Sequence, residues 1–185
     1  SQGVSLPVMI SVTIVDRSGR TLSGQTVDAF WRSVAHARPI SVGINCALGA
    51  TDMRPYIQEL SSIAPTFTSC YPNAGLPNPL SATGYDETPE TTGAHMRDFA
   101  EAGFVNLVGG CCGTTPAHIR AIGEAVAQLQ PRVPPGRVED RAYFSGLETL
   151  AVRPESNFLM IGERTNVTGS RRFARLIKED LYPTG

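Results

Sequence analysis

Four cysteines stand at positions 46, 70, 111 and 112 of this 185-residue chain. Cys111 and Cys112 are adjacent, inside Gly109-Gly110-Cys111-Cys112-Gly113-Thr114-Thr115-Pro116. An apolar run, residues 104–108, leads into that stretch. A helical pattern with Ile119, Ile122, Val126 and Leu129 on one face leads out of it. Thr115 fits an N-cap and Pro116 a first helical position. The two thiols are therefore expected at the end of a strand, just ahead of a helix N-terminus. Free N–H groups and the helix dipole favour negative charge there, so both are expected to lean towards thiolate, the form that binds zinc.

Cys46 ends a second apolar run, residues 39–45. In parallel α/β folds the C-terminal ends of the strands open on one side. Cys46, Cys111 and Cys112 can then converge from two strand ends into a zinc site with a vacant fourth position. Three thiolates leave such a site negative and poor at activating water. It suits holding a substrate thiol as thiolate while the sulfur stays nucleophilic, so thiol alkylation is the expected chemistry.

Other uses of these side chains compete with this one. A structural zinc site favours C-x₂₋₄-C pairs, and the chain has none. Cys70 is a possible fourth ligand, but it lies inside a strand pattern, where a buried cysteine is ordinary packing. A Cys111–Cys112 disulfide would be strained. His95 and His118 fall on predicted helices as surface residues, and His36 ends a helix; none requires a metal role.

The elements that must position the cysteines alternate regularly. Residues 6–15 read as a strand, and Thr26 caps a helix with Phe30, Trp31 and Val34. Residues 39–45 form the next strand, followed by a helix capped by Thr51 with Met53, Ile57, Leu60 and Ile63. Residues 66–71 form the third, ahead of a rigid loop, Pro72-Asn73-Ala74-Gly75-Leu76-Pro77-Asn78. Thr88-Pro89 opens a helix that stops at Gly103. Four strand–helix alternations predict a parallel α/β arrangement. Residues 130–138 hold three prolines and a glycine and read as a linker. Beyond them come a short buried strand, 158–161, and from Ser170 a basic amphipathic helix.

With 16 basic and 17 acidic residues, the formal net charge is −1, which gives no electrostatic case for nucleic acid or an anionic membrane. No apolar run reaches the ~18 residues of a membrane span. Without a signal peptide, four cysteines point to a reducing, cytoplasmic setting. The start runs almost at once into a strand, and a fragment is expected.

Gly43-Ile44-Asn45-Cys46-Ala47-Leu48-Gly49, the loop Pro72–Asn78 and Gly109–Pro116 together resemble the homocysteine-binding domain of the cobalamin-dependent methionine synthases. The paired-cysteine motif is shared with other homocysteine S-methyltransferases, including betaine-dependent ones. Gly162-Glu163-Arg164-Thr165-Asn166-Val167-Thr168-Gly169-Ser170 resembles the start of the pterin-binding domain found only in the cobalamin-dependent group. The resemblance implies residues 1–130 as the second half of a (β/α)₈ TIM barrel, 131–157 as an interdomain linker and 158–185 as the start of a second barrel. It implies zinc on Cys46, Cys111 and Cys112, with homocysteine sulfur at the open position and Asn73 beside it. It also implies Glu163 and Asn166 at the pterin site, methylcobalamin bound by a domain outside this chain, and 5-methyltetrahydrofolate as methyl donor. A half-barrel alone is expected to be inactive.

Overall fold

The computed structural model describes residues 6–81, 84–136, 141–159 and 169–179. Glu163 and Asn166 lie outside the described residues. The chain divides into two compact units, Ser1–Val152 and Arg153–Gly185.

In the first unit the order is β1 Met9–Val12, α1 Val27–Val34, β2 Ser41–Gly49, α2 Ala50–Ile63, β3 Phe67–Asn73, α3 Pro89–Glu101, β4 Leu107–Val108, α4 Pro116–Val126, then a hairpin of β5 Tyr143–Ser145 and β6 Thr149–Ala151. Strands β1 to β4 form one sheet in chain order, every pair parallel. The expected α/β arrangement is therefore present. The first strand is shorter than the expected 6–15, because the chain turns back and Ile14 bridges Thr21 in antiparallel fashion.

Local chemistry accounts for most element starts. Thr26 Oγ1 accepts the Ala29 N–H at 3.3 Å, and Thr88 Oγ1 accepts the Thr91 N–H at 3.3 Å, with Pro89 as the first residue of α3. Thr51 does not cap α2: the helix begins at Ala50 with Gly49 as its N-cap, so Thr51 lies within the first turn. The strand before it runs on to Gly49, and no room is left for a separate cap.

The core lies between the sheet and its helices. Val42, Ile44 and Cys70 of the sheet meet Met53, Ile57 and Leu60 of α2, all fully buried. Burial of each large aliphatic side chain contributes about 1.5–3 kcal/mol. Helices α3 and α4 approach closely, because a Cβ on Gly93 would come within 3.1 Å of the Ala121 carbonyl oxygen. The opposite sheet face is polar, where Ser11 Oγ donates to Asn45 Oδ1 at 2.5 Å.

The proline-rich stretch after α4 is held against this unit. Arg132 is 5% exposed and donates to the carbonyls of Ser61 and Ala64 at 2.6 Å and of Thr66 at 2.8 Å. These are the orphan acceptors at the end of α2 and the start of β3. The hairpin lies on α1: Thr26 N–H donates to the Leu147 carbonyl at 2.9 Å, Ser145 Oγ donates to the Ala29 carbonyl at 2.5 Å, and Arg32 stacks 3.7 Å over the Tyr143 ring.

In the second unit, α5 Arg171–Lys178 is the expected basic helix, with Ser170 Oγ accepting the Phe173 N–H at 3.2 Å. The strand expected at 158–161 differs: Phe158 and Leu159 are irregular and Phe158 is 91% exposed. Met160 and Ile161 fall outside the described residues. Among the described residues no helix is long and apolar enough to cross a membrane.

Candidate metal centre

The sulfurs of Cys46, Cys111 and Cys112 all lie within 4.8 Å of one another at the C-terminal end of the sheet. Cys46 Sγ is 3.5 Å from Cys112 Sγ, and Cys111 Sγ is 4.0 Å from Cys112 Sγ. Tetrahedral zinc with Zn–S bonds of about 2.3 Å separates its sulfurs by about 3.8 Å. These two separations bracket that value and the third is no longer than 4.8 Å, so the donor set fits zinc. Cys112 is exposed, while Cys46 and Cys111 are partly buried. The cluster therefore opens to solvent on one side. Among the described residues it is the one group of three or more cysteine, histidine or acidic side chains close enough to share an ion.

An irregularity in β2 presents Cys46. Asn45 pairs with Tyr71 and Gly49 with Asn73, so β2 advances four residues while β3 advances two. The excess is taken up at Cys46 and Ala47, whose φ angles are +58° and +59°. A left-handed conformation costs a non-glycine residue about 1–2 kcal/mol, and such strain concentrates where function needs it. Here it aims the Ala47 N–H at the Cys46 sulfur. That hydrogen bond lowers the Cys46 thiol pKa, with smaller help from Cys112 and Cys111 against partial burial.

The paired cysteines are stitched to the end of β3. Cys111 N–H donates to the Pro72 carbonyl at 2.8 Å, Cys112 N–H to Asn73 Oδ1 at 3.1 Å, and Ala74 N–H to the Cys112 carbonyl at 2.9 Å. Asn73 is 2% exposed and thus sits beside the cluster, gripping the backbone of Cys112. Thr114 closes the turn, its N–H and hydroxyl both donating to the Cys111 carbonyl. Gly113 stands third in that turn with φ +78°, a conformation that favours glycine; a Cβ there would also run into the Tyr85 ring.

The thiol of Cys111 differs from the expectation. Cys111 is pushed up to about 11, first by burial and then by the neighbouring Cys46 and Cys112. The helix start does not serve the thiols. Thr115 N–H donates to His118 Nδ1 at 3.2 Å, and His118 Nε2 faces the Glu87 carbonyl at 3.0 Å. This pairing sets the tautomer with the proton on Nε2. It also corrects the expected surface position of His118, which is 6% exposed. Cys46, by contrast with Cys111, leans towards thiolate.

Cys70 is not in the cluster. It is fully buried on the helix side of the sheet, its Sγ 3.9 Å from Met53 Sδ, and burial raises its thiol to about 12. His95 lies 3.8 Å from Glu87, away from the sulfurs' set, and His36 is exposed in a short 3₁₀ turn.

Tyr85 is the site residue that the sequence reading missed. Its ring lies against the α-carbon of Gly113, and its phenol pKa is raised first by desolvation and then by the neighbouring Cys112 and the other two cysteines. It stands 27 positions before Cys112 in a loop, and no spacing rule connects the two.

A parallel α/β sheet with three converging thiols at its C-terminal rim defines a candidate thiolate metal centre. Residues 1–126 match the family model of homocysteine S-methyltransferase, and the chain belongs to that family. It is accordingly a methyltransferase domain whose family methylates homocysteine.

Proposed function

We propose that this chain is the later half of the homocysteine-binding barrel of a cobalamin-dependent methionine synthase, joined through 131–157 to the start of a pterin-binding domain. The single observation that carries the chemistry is the trio of sulfurs at zinc-binding separation on the solvent-open rim. When bound there, zinc supplies the Lewis acidity that lowers the pKa of an incoming thiol. Cys46, Cys111 and Cys112 would hold the ion, and homocysteine would reach it from the solvent-open side. Asn73 fixes the backbone of Cys112, and the strained Cys46–Ala47 turn supplies the first thiolate. The homocysteine sulfur then attacks the methyl carbon of its donor, the donor's bond to that carbon breaks, and methionine leaves.

The donor is methylcobalamin, regenerated from 5-methyltetrahydrofolate. This choice rests on the resemblance of Gly162–Ser170, with Glu163 and Asn166 assigned to the pterin. Four parallel strands with helices after them suit half of an eight-stranded barrel. A structural four-sulfur module is disfavoured because Cys70 is sealed in the core.

X-ray absorption on the zinc-loaded protein tests the site. Three sulfurs and one lighter atom are expected, becoming four sulfurs at about 2.3 Å when homocysteine is added. Four sulfurs before homocysteine would overturn the reading. Donor choice is tested in the full-length enzyme by supplying methylcobalamin, betaine and S-methylmethionine in turn. Turnover with either of the last two alone would overturn the cobalamin assignment.

A further inference from the structure

A closed ring of hydrogen bonds runs beside the paired cysteines, and one side chain completes it. Ala74 N–H donates to the Cys112 carbonyl at 2.9 Å, and Glu87 N–H donates to the Ala74 carbonyl at 3.1 Å. The Glu87 carbonyl in turn accepts His118 Nε2–H at 3.0 Å. On the other side of the same imidazole, Nδ1 accepts the Thr115 N–H at 3.2 Å and lies 2.9 Å from the Thr115 hydroxyl. Thr114 and Gly113 then lead from Thr115 back to Cys112. His118 thus stands where a capping box has Glu or Gln, reaching back to the N–H of the N-cap residue. Unlike a carboxylate, it also carries a donating nitrogen, and that one ties the start of α4 to the segment just before α3.

We infer that His118 is a positioning residue of the cysteine rim: by closing this ring it fixes where Cys112 presents its sulfur. The inference deepens the zinc reading above and rests on it for its effect on metal. Cys112 is exposed, so packing does not hold its side chain, and the sulfur goes where the backbone of its turn carries it. On the strand side that backbone is gripped by Asn73 and Pro72. On the helix side the grip is the imidazole. His118 is 6% exposed, so water has little access to replace a bond it loses. Its two nitrogens sit on one rigid ring, so the span from the Thr115 N–H to the Glu87 carbonyl is set without a flexible stem.

The test sets His118→Asn against His118→Gln in the full chain. Asparagine puts its oxygen where Nδ1 stands and keeps the bond to Thr115, but its amide stops short of Glu87. Glutamine puts an N–H donor where Nε2 stands and keeps the link to Glu87. In the metal-free chain, hydrogen exchange at the Ala74 and Glu87 amides is expected to speed about tenfold in His118→Asn and to stay parental in His118→Gln. Under Co²⁺ titration against a chelator, His118→Asn is expected to bind about tenfold more weakly, with the thiolate-to-cobalt band per bound ion unchanged, and His118→Gln to bind as the parent does. Parental cobalt affinity in His118→Asn overturns the inference, whether or not exchange speeds. So does loss of the fold in either variant, or an equal loss of affinity in both, since the imidazole is then a packing group only. If the parent takes up no cobalt, or keeps its uptake when Cys46, Cys111 and Cys112 are each replaced, the zinc reading falls; the exchange comparison then still decides whether His118 closes the ring.

Discussion

The two ends of the same four strands treat polar groups in opposite ways. At the N-terminal end, Arg132 is buried and its guanidinium is spent on three backbone carbonyls, of Ser61, Ala64 and Thr66. Every partner is internal, and the outcome is a lock between the segment after α4 and the end of α2. At the C-terminal end, the backbone is just as fully paired around Pro72, Asn73, Cys111 and Cys112, but the side chains are not. Three sulfurs face one another at the rim, and Cys46 is presented there by a left-handed stretch of β2. The rigid pairing beneath allows reactive groups to remain uncommitted above. Parallel α/β sheets separate stability from chemistry in this manner.

The largest expected effect falls on the reactive end. Cys46→Ala, Cys111→Ala and Cys112→Ala each leave two thiolates, and zinc content after dialysis against a chelator should fall below a tenth of the parent's. Cys70→Ala should keep its zinc while losing about 2 kcal/mol of stability through the cavity it opens. Retention of zinc by any of the first three would erase the contrast between rim and core thiols.

Zinc affinity should also depend steeply on pH. Metal needs thiolates, and the free site holds protons on thiols; Cys111 keeps its proton up to about 11. Binding therefore expels protons, and affinity falls as pH falls. Two to three protons released gives about a hundredfold or more per pH unit, read by chelator competition between about pH 6 and 8. The lowered Cys46 thiol shortens its own contribution at the alkaline side, since it ionises before Cys111. A pH-independent affinity would mean that the thiols are not the ligands.

Arg132→Ala tests the locked end. Three buried carbonyls lose their donor, and unfolding free energy should drop by about 2–3 kcal/mol, measured by denaturant titration. Zinc stoichiometry should not change, because the guanidinium is at the far end of the strands. A loss of zinc in the still-folded variant would show the two ends to be coupled.

The smallest effect is expected from Asn73→Ala. Loss of the acceptor for the Cys112 N–H loosens one ligand without removing it, and zinc affinity should weaken about tenfold. An unchanged affinity would make Asn73 a packing residue only.

How far the sequence reached follows from the range of the signals. Capping by Thr26, Thr88 and Thr115 is local chemistry, legible within four residues. The convergence of Cys46 with Cys111 and Cys112 was legible because parallel topology brings all strand C-termini to one side. Thr51 misled because the strand before it carries two extra residues, and a register shift leaves no mark in composition. The charge on Cys111 misled because burial, which tertiary packing sets, and then the neighbouring Cys46 and Cys112 push the thiol up. Tyr85 was invisible because loops place side chains by their own turns and bridges rather than by periodicity.

The hairpin of β5 and β6 has a mechanical consequence. It lies on α1, the helix that follows β1, while the paired cysteines follow β4 at the other edge of the sheet. The chain leaves the first unit from Val152, directly after β6. A tug transmitted along the polypeptide from residue 153 meets the Val152–Ala142 bond and the β5–β6 pairing first, and behind them the hairpin's hydrogen bonds to Thr26 and Ala29. The clip works as a strain relief on a cable: the covalent tether is loaded at one edge, and the sulfur-bearing turn at the other edge stays slack.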